Sequence, residues 1–384
     1  MNVGMRQLTV LLACLLAPQF QPPVRYMATA DEAVLLADAN GDGAPEIITS
    51  GNQVDQQGAF SLLPNLGDGR FSSEQPIPSR LGERLEDAAD LTGDGIPDLL
   101  VASYWQNGIS VYRGLGSLQF SAGTAYDTAT HGGPSRALDY DGDGIRDIVS
   151  LSFGSGNPVR VHLFRGRGAG AFDPKQTFDT AFAIANSPSA RIYDGKVELI
   201  ASERSGHLVL LRISPGGISS STLEAGPGFD LTSIFVDLNG DGIADIVDTN
   251  DGGSEAANNA FEWIFVRLAT PAGGFGERRQ IPHPRQMTFP TELRTADLDG
   301  DGRMDLIASD FRATTLHYFH GRGDGTFDAA LQIPTAAPVN DAAIGDLNRD
   351  RRPDVVTVND DHTISVILTN GIDCPPTRRR AVRH

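Results

Sequence analysis

The chain has 384 residues, 40% of them hydrophobic, so it can bury a large core, and its 43 Gly and 23 Pro predict many turns. The formal charge of -18, with no basic stripe outside Arg378–Arg380 and Arg383, excludes nucleic acid as a partner. There are two cysteines, Cys14 and Cys374; if Cys14 is removed with a leader, no disulfide within the chain is possible.

Met1–Ala17 reads as a secretory signal: Arg6 is the positive start, Leu8–Ala17 the apolar run, and Ala17 a small residue for cleavage. The run is too short to span a bilayer, so no transmembrane segment is expected. Leu11-Leu-Ala-Cys14 also resembles a lipobox, which would anchor Cys14 by lipid. Apolar residues continue through Leu15-Leu16, however, and only about 13 residues would be removed, fewer than the usual 15–30. Release to the exterior or cell envelope is therefore preferred over a lipid anchor. Residues 18–373 form the mature domain and 374–384 a short basic tail.

The next feature in the chain recurs. Asp38-Ala-Asn40-Gly-Asp42-Gly-Ala-Pro-Glu46 leads into Ile47-Ile48, and Asp90-Leu-Thr92-Gly-Asp94-Gly-Ile-Pro-Asp98 into Leu99-Leu100. Asp139-Tyr-Asp141-Gly-Asp143-Gly-Ile-Arg-Asp147 precedes Ile148-Val149. Three more copies begin at Asp237, Asp297 and Asp346, and an eroded copy, Ile192-Tyr-Asp194-Gly195-Lys-Val-Glu198, has Ala190 where the first acid should stand. The starts at 38, 90, 139, 190, 237, 297 and 346 are 52, 49, 51, 47, 60 and 49 residues apart, which is a repeat architecture. Oxygen-bearing side chains at positions 1, 3, 5 and 9 of a tight loop suit a hard cation of six to eight oxygen ligands, namely Ca2+. An EF-hand loop needs a Glu at position 12 and a following helix; Asp139's position 12 is Ser150, inside a strand-like run. Six bound Ca2+ would bring the charge from -18 to -6.

A second signature follows each loop. It reads Gly67-Asp-Gly69-Arg-Phe71, Gly114-Leu-Gly116-Ser-Leu-Gln-Phe120, Gly166-Arg-Gly168-Ala-Gly170-Ala-Phe172 and Gly321-Arg-Gly323-Asp-Gly325-Thr-Phe327: a Gly-rich hairpin turn, then a Phe opening the next strand. Four short strands per unit, in seven units, predict an all-β, seven-bladed β-propeller. The last unit lacks its Phe-led fourth strand. Gln19-Phe20-Gln-Pro-Pro-Val24-Arg-Tyr26 matches Thr326-Phe327-Asp-Ala-Ala-Leu331-Gln-Ile333, so residues near 20–26 are expected to complete blade 7 and latch the ring.

With these repeats in view, residues 19–371 resemble the FG-GAP/VCBS family, whose fold is the propeller at the head of integrin α subunits. The resemblance implies these metal ligands, the seventh position acting through its carbonyl: Asp38, Asn40, Asp42, Ala44, Glu46; Asp90, Thr92, Asp94, Ile96, Asp98; Asp139, Asp141, Asp143, Ile145, Asp147. The others are Asp237, Asn239, Asp241, Ile243, Asp245; Asp297, Asp299, Asp301, Arg303, Asp305; and Asp346, Asn348, Asp350, Arg352, Asp354. Thr92 offers a neutral hydroxyl, so its site should be weaker. Arg351 replaces a turn Gly whose backbone needs positive φ. Blade 4 should hold no ion. Without metal, such loops are Asx-rich turns, but six copies in one register favour metal. The expected role of the ions is structural, since a closed loop leaves few open coordination positions.

Other motifs are set aside. Arg322-Gly323-Asp324 spells an integrin-recognition tripeptide but sits in the recurring hairpin turn. His317 and His320, three apart on a strand, would point to opposite faces, which argues against a shared metal. No Gly-x-Ser-x-Gly elbow or His-Glu-x-x-His pattern is present. Partner contacts are expected on loops at the other face: Tyr104-Trp105, His131 before blade 3, and the long insertion Asp248–Glu262 of blade 5, with Trp105 and Trp263 as sugar platforms or interblade packing. The resulting expectation is an exported, monomeric, non-catalytic binding or adhesion module for a glycan or extracellular protein. The alternative is a polysaccharide lyase-like enzyme, which would need clustered bases and cations; Lys175 and Lys196 are the chain's lysines.

Overall fold

The computed structural model describes residues 18–29, 31–51, 60–80, 82–103, 108–128, 131–153, 158–182, 189–203, 207–214, 217–223, 230–250, 263–282, 290–310 and 313–370. The leader, Cys14, the basic tail, Tyr104-Trp105 and most of the blade 5 insertion lie outside these residues. Among the described residues there is no helix, and the strands form seven four-stranded antiparallel sheets and one two-stranded sheet.

Blade 1 is Ala33–Ala37, Glu46–Ser50, Phe60–Leu63 and Gln75–Ile77. Blade 2 is Glu83–Ala89, Asp98–Ser103, Gly108–Tyr112 and Thr124–Tyr126. Blade 3 is His131–Leu138, Asp147–Phe153, Arg160–Phe164 and Gln176–Asp179. Blade 4 is Ser189–Tyr193, Lys196–Ser202, Leu208–Ser214 and Gly217–Leu223. Blade 5 is Asp230–Val236, Asp245–Asn250, Trp263–Arg267 and Arg279–Gln280. Blade 6 is Pro290–Ala296, Asp305–Asp310, Thr315–Phe319 and Leu331–Pro334. Blade 7 takes Val339–Gly345, Asp354–Asn359 and Thr363–Ile367, and its fourth strand is Val24–Met27 from the start of the chain.

First strands of consecutive blades touch all round, blade 7 against blade 1 included. They enclose a cavity of about 430 Å³ on the axis. Its wall pairs Arg294 with Glu292 (2.8 Å) and Asp341 (2.7 Å), and sets Arg84 and Arg136 at 3.8 and 3.7 Å from Glu86. Burial pushes the Glu86 and Glu292 carboxyls up from their ordinary values.

Second strands read as continuous apolar runs because both their faces are covered by neighbouring blades; Glu46–Ser50, Asp98–Ser103 and Asp354–Asn359 are buried throughout. Seven apolar clusters result, one for each blade interface. Ile47, Leu63 and Phe71 of blade 1 pack with Val356, Ile364 and Val366 of blade 7 across the seam. Among the described residues, the buried cluster between blades 4 and 5 is Ile200, Leu208 and Ile246, with Leu223, Phe235 and Phe275 packed against it.

Two expectations need correction. The Phe after each Gly-rich turn does not open the fourth strand. Phe71, Phe120, Phe172, Phe275 and Phe327 each make an isolated bridge, to Asn65, Gly114, Gly166, Ala269 and Gly321, and the strand begins later. At blade 7 the equivalent pairing is Phe20 with Thr369, beside Gln19 with Asn370. His131, placed by sequence in a loop, is the exposed first residue of a strand.

Candidate metal centres

Each blade is an antiparallel meander, so the turn joining strands 1 and 2 and that joining strands 3 and 4 lie at one end. The acidic loops are the strand 1–2 turns of blades 1, 2, 3, 5, 6 and 7. Two of them touch the Gly-rich turn of the next blade: Ala169 N–H donates to the Thr92 carbonyl (2.7 Å), and Gly69 N–H to the Leu347 carbonyl (3.1 Å).

Within a loop the carboxylates organise the backbone as successive Asx turns. In blade 6, Asp297 accepts from Asp301 N (3.0 Å) and Gly302 N (2.9 Å), Asp299 from Asp301 N (3.0 Å), and Asp301 from Arg303 N (2.9 Å). Blade 1 repeats this through Asp38, Asn40 and Asp42, and blade 5 through Asp237, Asn239 and Asp241. Asp90 and Asp94 do the same in blade 2, Asp139 and Asp143 in blade 3, and Asp346, Asn348 and Asp350 in blade 7. Thr92 donates its hydroxyl to Asp90 at 3.3 Å and is almost fully covered.

The fourth and sixth loop positions are left-handed: φ is +77° and +86° at Gly300 and Gly302. In blade 7 those positions are Arg349 and Arg351, at +63° and +68°, so the strain expected at Arg351 is present at two residues.

The ninth position has a role that the repeat pattern did not disclose. Asp98 is fully buried; one carboxylate oxygen accepts from Leu91 N (2.9 Å) within the loop, the other from Gly114 N (2.8 Å) at the end of the third strand. Asp147, Asp245, Asp305 and Asp354 bind the same two places, ending on Gly166, Ala269, Gly321 and Thr369. Glu46 accepts from Ala39 N. Gly is needed at the receiving position in three blades, since a Cβ on Gly114 would come 2.3 Å from the Pro97 carbonyl oxygen and one on Gly321 2.0 Å from that of Met304. The Gly that opens the hairpin turn in blades 2, 3 and 6 was the available signal.

The donor set fits a dication. Oxygens of Asp139, Asp141 and Asp147, and of Asp297, Asp299 and Asp305, come within 4.8 Å of one another. Burial pushes Glu46 up to about 7 and Asp305 and Asp354 up to about 6, and nearby loop carboxylates add to the effect. Such a set carries negative charge that a metal would neutralise. In two loops a side-chain cation approaches from outside: Arg349 lies 2.5 Å from Asp42 and Arg165 2.6 Å from Asp141, and in blade 6 the His320 imidazole lies 3.1 Å from Asp299.

His317 and His320 do part company, His317 being buried in its strand. His320 lies beyond the strand end and reaches the loop carboxylates, which the strand argument missed. Arg322 of the Arg-Gly-Asp tripeptide is exposed and held by Asp328, and Asp324 accepts from Thr326 N (2.9 Å) in its own turn.

Blade 4 has a different end. Its strands are joined by the two-residue turn Asp194-Gly195, with φ of +50° and +68°, as in a type I′ hairpin. Register places Arg191 opposite Glu198, as Ala89 lies opposite Asp98 in blade 2. The eroded loop is therefore two residues shorter, and Ile192, not Ala190, follows the paired residue as Asp90 does.

The model for the FG-GAP-like repeat matches residues 90–150, 237–308 and 297–357. The chain is a seven-bladed propeller of FG-GAP-like repeats. Among curated proteins it is 26% identical over 252 residues to the T-cell immunomodulatory protein of Rattus norvegicus, an alignment covering 57% of this chain and 40% of that protein. The chain thus spans well under half the length of this relative. Among solved structures, the FG-GAP ring resembles BBS1N in complex with ARL6DN, in mercury- and lead-soaked crystals, with TM-scores of 0.62 and 0.60. Identity is 12% in both, and the mercury-soaked match covers 92% of this chain and 98% of that one, which shows the fold alone.

Proposed function

We propose that the chain is an exported, calcium-stabilised binding module without catalysis, whose ligand is a glycan or an extracellular protein. A propeller of FG-GAP-like repeats is a binding fold, and the observation that supports this reading most is the uniform acidic face. Six loops repeat one arrangement of carboxylates at the strand 1–2 turns, while the opposite rim varies in length and composition from blade to blade. Ca2+ in the loops would fix one face and leave the other to recognise a partner. In that role the oxygens at positions 1, 3, 5 and 9 and the carbonyl at position 7 would hold the ion, and Asp98 and its counterparts would link it to the third strand. A protein partner accords with the similarity to BBS1N, which is bound to ARL6DN.

The test is a glycan array run with the chain in millimolar Ca2+ and after chelation, together with a pull-down from the native cell envelope. Ca2+-dependent capture of a glycan or of one protein supports the reading. Turnover of a polysaccharide to unsaturated products would replace it with the lyase alternative.

A further inference from the structure

We propose that the cavity on the ring axis is a binding site for a small neutral saccharide, free or as the end of a glycan chain. The inference rests on the glycan branch of the proposed function and gives that ligand a place.

The cavity measures about 430 Å³, within the range of about 300–1,000 Å³ usual for small-molecule sites, and first strands of all seven blades line it. Arg84 and Glu86 are the second and fourth residues of Glu83–Ala89, and Glu292 and Asp341 are the third residues of their strands. These are the strand ends away from the acidic loops, and no loop carboxylate lines the cavity.

Three arginines and three carboxylates lie in the lining, Arg84, Arg136 and Arg294 with Glu86, Glu292 and Asp341, so the lining carries no net charge. An ionic ligand would shed its hydration there with no net opposite charge to meet it. A ligand that is neutral and rich in hydroxyls avoids that penalty. The wall also has depth: Glu86 and Asp341 side chains are 2% and 9% exposed, whereas Arg136 and Glu292 keep 36% and 27%. Guanidinium edges and one carboxylate therefore face the cavity.

Several of these groups have hydrogen-bonding capacity left. Arg136 Nη1 donates to the Glu86 and Ser135 carbonyls at 2.8 Å each, while its Nε and Nη2 have no partner among the described residues. Glu292 gives one oxygen to Arg294 (2.8 Å), and its other oxygen accepts nothing among the described residues. The Thr232 and Thr295 hydroxyls, also in the lining, make no hydrogen bond among the described residues. Donors, an acceptor and two hydroxyls around one space match a sugar ring, whose every hydroxyl both donates and accepts. Arg294 is held by Asp341 and the Ala342 carbonyl (2.7 Å each), and Arg136 by its two carbonyls. The wall is thus set in advance, and little side-chain ordering is left for binding.

The probes are free glucose, galactose, mannose, maltose, lactose and cellobiose, titrated by calorimetry and saturation-transfer NMR into the full chain in millimolar Ca2+. An array presenting the same units at chain ends runs beside them, and separates a free sugar from a glycan end. The expected result is one equivalent of one saccharide bound. Arg136→Lys keeps the charge beside Glu86 but loses the open donors, and should weaken binding by about 10-fold. Thr232→Phe fills the cavity without touching an ion pair; it should abolish binding, and it serves if the lysine variant does not fold. Saccharide binding unchanged in both variants would overturn the axial site and leave the glycan reading intact. Binding of glycine or inorganic phosphate with no sugar bound would overturn the neutral class of ligand. No saccharide bound in solution or on the array would overturn both this proposal and the glycan branch, leaving a protein partner.

Discussion

In blade 4 the Arg191 guanidinium lies 2.6 Å from the Glu198 carboxylate, across the strand pair where blade 2 sets Ala89 opposite Asp98. Arg212 holds the second oxygen of Glu198 at 2.5 Å. The Arg191 guanidinium also lies over Tyr193, Phe235 and Phe275, at 4.8, 4.6 and 5.1 Å from the ring centroids. Where the acidic loop has been lost, two arginines and an aromatic box take over the ninth-position carboxylate. They do so at the interface whose buried apolar cluster is the smallest among the described residues.

Arg191→Ala should therefore be costly. Arg191 and Glu198 side chains are 7% and 1% exposed, and because Arg212 still holds Glu198 the loss should fall below about 3–5 kcal/mol, the loss for a buried charge left unpaired. Chemical denaturation would show the loss. It should be the same in Ca2+ and in chelator, since blade 4 carries no acidic loop.

Arg351→Gly should stabilise the chain. Arg351 has φ of +68° where blade 6 has Gly302 at +86°. Relief of the left-handed conformation, offset by the greater unfolded-state freedom of Gly, leaves a gain of about 0.5–1 kcal/mol. A thermal melt with no rise, or a fall, would contradict the strain at this position.

The buried carboxyls predict an unusual pH dependence for metal-free protein. Burial raises Glu46 from 4.5 to about 7 and Asp305 and Asp354 from 3.8 to about 6. Between the unfolded and folded values the native state holds more protons, so stability falls as pH rises. Their contribution is full below about pH 4 and gone above about pH 7. In chelator, the melting temperature should drop from pH 5 to pH 7.5. With Ca2+ present the fall should vanish or reverse, because bound metal favours the ionised carboxylates. Identical profiles in both conditions would argue against metal at these residues.

Removal of Phe20–Met27 should lower the melting temperature sharply. Val24–Met27 supplies a whole strand of blade 7, Tyr26 meets Phe71 of blade 1 with ring centroids 5.7 Å apart, and Phe20 meets Tyr318 at 5.5 Å. Without them blade 7 loses cover at its interfaces with blades 1 and 6 and exposes a strand edge. An unchanged melt would mean that the strand does not latch the ring.

Much of this architecture was legible because the repeats carry their own alignment. The loop starts fixed the number of blades, and the match of Phe20 to Phe327 pointed to a borrowed strand. Arg191 and Glu198 were hidden by a two-residue deletion that shifted the apparent register of the loop. Asp98 reads as one more acid in a loop, yet it holds Gly114, sixteen residues on, through an antiparallel return. The contact of His320 with the loop carboxylates was not visible because it lies past Phe319, where the strand and its alternation end. The axial charges are still less visible, since Arg294 and Asp341 meet only when separate blades close into a ring.

The most direct test of the account is the number of Ca2+ ions bound, measured by native mass spectrometry alongside calorimetric titration. The account predicts up to six Ca2+ per chain, with the Thr92 site the weakest and none in blade 4. A chain that binds no Ca2+ at millimolar concentration, and melts at the same temperature with or without chelator, would contradict it.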